Sequence, residues 1–207
     1  MKKSFENWLW EDLEGEFGIS SGSVSELHAW LNNQEQISLK EREQLQSLSL
    51  IFNAHYEDWN EDEIKMQFIA PLLAFINYYD TGLTPFSQRN LTATIGKWQI
   101  YGRVDWVLAS GRQIPKKPYL FIHEYKPEKG RTNDPKGQLL AEMLVAQAKN
   151  NDEKCIYGVY IVGKDWYFTV LKGKHYQVSR PYQANEDHDL DIIFKALKEI
   201  KNIIKQP

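Results

Sequence analysis

The chain has 207 residues, 42% of them hydrophobic and 26% charged, with a formal charge of −3 and a single cysteine. This is enough for one main domain with an appendage, no apolar run approaches the roughly 20 residues needed to span a bilayer, and Cys155 alone excludes an internal disulfide or a multi-cysteine zinc site, which points to a cytoplasmic setting. So small a net charge argues neither for nor against nucleic acid, because a basic groove can coexist with acidic surfaces elsewhere.

The start, Met1-Lys2-Lys3-Ser4-Phe5-Glu6, soon meets Glu11 and Asp12 and lacks the apolar stretch of a signal peptide. Phe5, Trp8, Leu9, Leu13 and Phe17 recur at helical spacing and predict a helix over 5–17, interrupted by Asp12 and Gly15 and ended by Gly18. Serines at 21, 23 and 25 form a capping loop before a short helix over 26–32. Ser38-Leu39-Lys40-Glu41 fits a capping box opening a helix to about residue 56, with Leu45, Leu48, Ile51 and Phe52 turned inward. Residues 1–58 are therefore expected to be a helical N-terminal region.

A second unit is expected over 59–207. Asn60-Glu61-Asp62-Glu63 reads as a capping box before a helix carrying Ile64, Phe68, Ile69, Leu72, Leu73 and Ile76, with Pro71 set to kink it. Strands follow over 86–93, 97–109 and 119–126, then a polar loop, a helix over 137–150, strands over 156–162, 166–171 and 175–179, and a final helix over 189–205. Helix, strands, helix, strands describes an α/β domain with a mixed central sheet flanked by helices.

Within that pattern, Glu124-Tyr125-Lys126 is the unusual stretch. Strand side chains alternate, so Glu124 and Lys126 share a face with Ile122 at the end of a strand that reads as buried on both faces, where unpaired charge is expensive. On its own the pair is a same-face ion pair of minor energetic weight. Asp105 alone would be a strand-end turn former, and Gln138 alone a solvated residue at a helix start. His123 falls on the opposite face by parity and reads as a core histidine, and the remaining histidines lack metal-ligand spacing.

Asn60-Glu61 opening a helix with Phe68-Ile69-Ala70-Pro71-Leu72-Leu73, then Gly102-Arg103-Val104-Asp105, then Glu124-Tyr125-Lys126-Pro127, then Gln138-Leu139-Leu140, resemble in residue type and order the PD-(D/E)xK nuclease superfamily. The resemblance is to the nuclease domain of type I restriction enzyme R subunits, and it covers about 60–171. It implies a restriction-endonuclease-like core and Mg²⁺-dependent phosphodiester hydrolysis in nucleic acid, with DNA favoured. Asp105, Glu124 and Glu61 would be the metal ligands, for Mg²⁺ with Mn²⁺ able to substitute. Lys126 would orient the attacking water, and Gln138 would bind the lysine, a metal water or a phosphate.

Elementary chemistry agrees with those residue types, since Mg²⁺ takes hard oxygens and usually only one or two protein carboxylates. Glu61 is preferred to Glu63 because positions 61, 64, 68 and 72 share a helical face and Glu63 suits the capping box. A helix start at Gln138 also offers backbone N–H groups to phosphate. Lys129, Arg131 and Lys136, with Arg103, Arg112, Lys116 and Lys117, would line a phosphate-binding groove, although for any one of them a solvated position is the plainer reading. Trp98, Trp106 and Trp166 read as core, not as a base-stacking platform. The alternative function is a nuclease-like binding or interaction module with little turnover, in which the N-terminal helices meet a protein partner; they equally offer a surface for a homodimer.

Overall fold

The computed structural model describes residues 1–126 and 133–205. The chain opens with β1 (Lys2–Ser4), a 3₁₀ turn at Phe5–Asn7, α1 (Trp10–Phe17), β2 (Ser20–Ser21), α2 (Ser25–Leu31) and α3 (Leu39–His55). Next come α4 (Glu61–Ile64), a π-helical turn at Lys65–Ile69, α5 (Ala70–Ile76), β3 (Thr84–Ile95), β4 (Trp98–Ser110) and β5 (Lys116–Lys126). The remainder is α6 (Pro135–Asn150), β6 (Ile156–Val162), β7 (Asp165–Lys172), β8 (His175–Val178), β9 (Tyr182–Gln183) and α7 (Asp187–Lys205).

Among the described residues nine strands form one mixed sheet in the order β1-β4-β5-β6-β7-β8-β2, with β3 also on β4 and β9 also on β7. β5 and β6 run parallel, a geometry that requires a crossover, and α6 supplies it. One edge of β4 is taken along its length by β3, whereas the other is shared: β1 pairs Gln99 to Tyr101 and β5 pairs Trp106 to Ser110. Asp105 falls in the gap between them.

The sheet separates two cores. On one face Ile122, Val104 and Val107 pack with α6, whose residues 137–146 are all buried, and with Phe5, Trp8, Leu13 and Phe17. On the other, Trp106, Phe121 and Tyr125 pack with α2, α3, α5 and α7, where Trp30 donates its indole N–H to Ala196 O at 2.7 Å. The architecture is therefore the expected α/β one, with helices on both sides of a mixed sheet.

Several local features differ from the sequence reading. Residues 1–58 contribute two short strands as well as helices, and both cores draw side chains from both sides of residue 58. The helix expected over 5–17 is broken at Trp8 and Leu9, which are extended. Trp8 there packs its ring 5.3 Å from Phe17 and 5.1 Å from Trp98, a burial that outweighs helical continuity and leaves Leu9 exposed. Ile51 is also exposed, because Leu45, Leu48 and Phe52 already fill the inward stripe of α3. The two capping boxes, Ser38 with Glu41 and Asn60 with Glu63, are both present.

Around Pro71 the helix does not simply kink. The preceding turn widens, with Ala70 donating its N–H to Lys65 O in π-helical spacing, and this accommodates a residue that has no N–H of its own to give. Lys65 opens the widened turn.

Candidate active site

β4 and β5 pair antiparallel with Trp106 opposite His123 as the last pair, so Asp105 and Glu124 each lie one residue beyond the ladder. Regular pairing ends there. In place of a ladder bond, Tyr125 donates its backbone N–H to Asp105 Oδ2 at 3.0 Å. The site then divides between the two sides of the sheet.

On the α4 side, Asp105 Oδ1 accepts from Lys65 Nζ at 3.0 Å and from Gln88 Nε2 at 2.7 Å. Lys65 Nζ also pairs with Glu61 Oε1 one helical turn away, and lies 5.4 Å from the Tyr125 ring centroid. Burial pulls the Lys65 ammonium down, but Asp105 and Glu61 outweigh it and hold Lys65 above its ordinary value. Gln88 reaches Asp105 from a left-handed backbone, φ 55°, uncommon for a residue other than glycine. Glu63 is spent on the cap, its carboxylate accepting from Asn60 N at 2.7 Å, while Glu61 faces the site. These residues line an open cleft of about 910 Å³ between the α4–α5 stretch and the β3–β4 hairpin, together with Arg103 and Tyr125.

On the α6 side, Lys126 Nζ lies 2.6 Å from Glu124 Oε1. Glu124 is 1% exposed, and burial first, then the charge of Asp105, push it up to about 8 against the pull of Lys126. Burial lowers Lys126, but Glu124 more than offsets this and leaves the lysine above its ordinary value. Behind Glu124 lies Glu142, completely buried on α6 and one turn from Gln138, whose Nε2 is 3.3 Å from Glu142 Oε1. Burial, then Glu124 and Asp105, push Glu142 well above its ordinary value, which favours its neutral form. Gln138 thus donates to Glu142 and not to the lysine.

Expectations about phosphate contacts change. The α6 N-terminus carries its own cap: Asp134 accepts from Lys136 N at 3.1 Å, where a phosphate was expected, and also from Trp10 N of α1 at 3.0 Å. Arg112 lies in the β4–β5 turn and Lys116 and Lys117 begin β5, at the opposite end of that strand from Lys126. Lys129 and Arg131 lie outside the described residues, and Lys136 sits over the Trp10 ring at 3.9 Å. His123 is fully buried, shares a hydrogen bond with the Tyr125 hydroxyl at 2.9 Å and is pushed down to about 3 by burial, which keeps the imidazole neutral.

Lys65, Gln88 and Glu142 were not singled out in the sequence. Lys65 had a signal, being four residues after Glu61 on the same helix; so had Glu142, an acid four residues after Gln138 in an otherwise apolar helical face. Gln88 had none.

Among the described residues no three of His, Cys, Asp or Glu converge to hold a metal by themselves. The donor set nevertheless suits a hard cation that keeps most of its waters. Among the described residues Glu124 Oε2, Glu142 Oε2 and Gln138 Oε1 are buried oxygens without a hydrogen-bond partner, and Asp105 and Glu124 lie just past the last β4–β5 pair. Buried acceptors left in that state are rare and call for a cation, a water or a proton.

No protein family and no curated protein matches the chain. Among solved structures, a complex of DrdV with DNA, determined by cryo-electron microscopy, is similar at 16% identity and a TM-score of 0.42, over 78% of this chain and 14% of that one.

Proposed function

We propose that the protein is a Mg²⁺-dependent nuclease that hydrolyses phosphodiester bonds in nucleic acid, DNA in the first place, at the point where β4 and β5 cease to pair. The observation that carries this reading is a juxtaposition: Asp105 and Glu124 each lie one residue past Trp106 and His123, the last pair of the β4–β5 ladder, with Lys126 2.6 Å from Glu124. Two carboxylates and an ammonium at one strand end, beside an open cleft, is a costly arrangement for a fold to keep without a ligand of opposite charge.

Asp105 and Glu124 would hold Mg²⁺, for which Mn²⁺ can substitute. That ion supplies positive charge to the phosphate and lowers the pKa of a water. Lys126, paired with Glu124, would orient the attacking water and stabilise charge growing on the phosphoryl oxygens. Glu61 on α4 and Gln138 on α6 frame the site from either side of the sheet. The cleft beside Asp105 admits the polynucleotide, with Arg103 on its wall to meet a backbone phosphate. The purified protein with Mg²⁺ and DNA tests the proposal: cleavage should appear, and be lost in both Asp105→Ala and Lys126→Ala. Cleavage untouched by either change would sink it.

One observation favours a second reading, a nuclease-like module that binds without turnover. Asp105 already accepts from three donors, and Glu124 keeps its proton at neutral pH. A calorimetric Mn²⁺ titration separates the two, because an inactive site binds Mn²⁺ weakly and does so regardless of Asp105 or Glu124.

A further inference from the structure

We propose that Lys65 is a built-in cation that takes the place of a second divalent ion, so that the site holds one metal, at Asp105 and Glu124, while Glu61 holds Lys65 and no metal. The inference rests on the nuclease reading and deepens it.

A second divalent ion in a phosphodiesterase site would need carboxylate oxygens to hold it and would supply positive charge to the attacking or leaving oxygen. Here the corresponding position, between Glu61 and Asp105, is filled by an ammonium. Lys65 Nζ pairs with Glu61 Oε1 and lies 3.0 Å from Asp105 Oδ1, with the Tyr125 ring on a further side. Glu61, Asp105 and the electron-rich face of Tyr125 surround it with negative potential. Its side chain is only 18% exposed, so moving it aside would separate a largely buried charge from two partners at once.

The backbone supports the same placement. Lys65 begins the π-helical turn, and its side chain reaches Asp105 within β4 while Glu61, four residues earlier, still pairs with it. Gln88 adds a donor to Asp105 Oδ1, which leaves that oxygen with an ammonium and an amide as partners. A metal approaching Asp105 is thereby directed away from Lys65 and toward the Glu124 side. Lys65 also lines the cleft, where it offers a positive charge and N–H donors to a phosphate oxygen, the electrostatic part of what a second metal would contribute.

Mn²⁺ alone, titrated into the full chain and counted by calorimetry and electron paramagnetic resonance, tests the proposal. The wild type should bind one ion with a mononuclear spectrum, and Lys65→Arg should do the same. Lys65→Met should bind two, with the spin coupling expected of ions that share Asp105, and adding Glu61→Gln to Lys65→Met should return the count to one. Two ions in the wild type, or one in a folded Lys65→Met protein, would overturn the proposal and leave the nuclease reading intact. If Lys65→Met does not fold, Glu61→Gln alone decides: one bound ion supports the assignment, and none refutes it. No Mn²⁺ bound by the wild type, or binding indifferent to Glu124→Gln, removes the metal reading itself and this proposal with it.

Discussion

Tyr125 gives its backbone N–H to Asp105 Oδ2 at 3.0 Å, at the point where β4 and β5 cease to pair. A side chain thus replaces a backbone acceptor, and the strand ends can part without stranding a buried donor. The same carboxylate accepts from Lys65 and Gln88 on its other oxygen, so Asp105 joins β3, β4, β5 and the helical stretch at one atom group. Structure and chemistry therefore meet in this residue, and its substitution should affect both.

Asp105→Asn keeps an acceptor for Tyr125 but removes the charge that faces Lys65. Cleavage should fall by roughly 10²-fold or more, with modest loss of stability. Asp105→Ala removes the acceptor as well, leaving the Tyr125 N–H unsatisfied at a cost of about 1–3 kcal/mol. Urea denaturation beside an activity assay checks the pair: equal stabilities of the two variants would show that the Tyr125 hydrogen bond carries no weight.

Stability should fall as pH rises through the range set by Glu124. In the folded protein this acid keeps its proton up to about pH 8, whereas its ordinary value is 4.5. Between those values the folded state binds more protons than the unfolded chain, so ΔG of unfolding declines with increasing pH and is lowest above about 8. Glu124→Gln should flatten the decline and be more stable than wild type at alkaline pH, as read from thermal melts across the range. Because a metal needs the carboxylate, Mn²⁺ affinity should rise over the same window and level off above it.

Glu142 should tolerate amidation but not truncation. It is carried as a neutral acid, completely buried, with Gln138 at 3.3 Å. Glu142→Gln changes little in charge or volume and should lie within about 1 kcal/mol of wild type, whereas Glu142→Ala opens a cavity and should cost about 2–4 kcal/mol. A large penalty for Glu142→Gln in urea denaturation at neutral pH would mean that the residue is ionised in the fold.

Much of this fold was legible because its long elements repeat strongly. β3, β4, β5, α6 and α7 have enough apolar positions for a period to emerge, and both capping boxes are local in sequence. β1 and β2 have three and two residues and no period; they are strands because β4 and β8 have free edges for them. At the site, strand parity put Glu124 and Lys126 on one face, which the 2.6 Å contact bears out. The positions of Lys65 and Gln88 were not legible in the same way. The spacing of Lys65 from Glu61 was visible, but its reach to Asp105 across a π-helical turn was not, and the left-handed backbone of Gln88 leaves no mark on residue type.

Gly137→Ala should show how firmly the N-terminal segment is docked. In the interior of a helix, exchanging glycine for alanine ordinarily gains about 1 kcal/mol. At Gly137 the added Cβ would stand 2.3 Å from Trp8 O, 2.7 Å from Asp134 Oδ2 and 2.8 Å from Trp10 N. Two of those three atoms are backbone, so relief requires moving the 8–10 segment away from α6, breaking the 3.0 Å bond from Trp10 N to Asp134. Overpacking of about 1–3 kcal/mol, added to a lost hydrogen bond of about 1 kcal/mol, exceeds the helical gain. The variant should therefore be destabilised by about 1–3 kcal/mol, with faster amide exchange at Trp10. A Gly137→Ala protein more stable than wild type, with Trp10 still protected, would place the N-terminal segment farther from α6 than described.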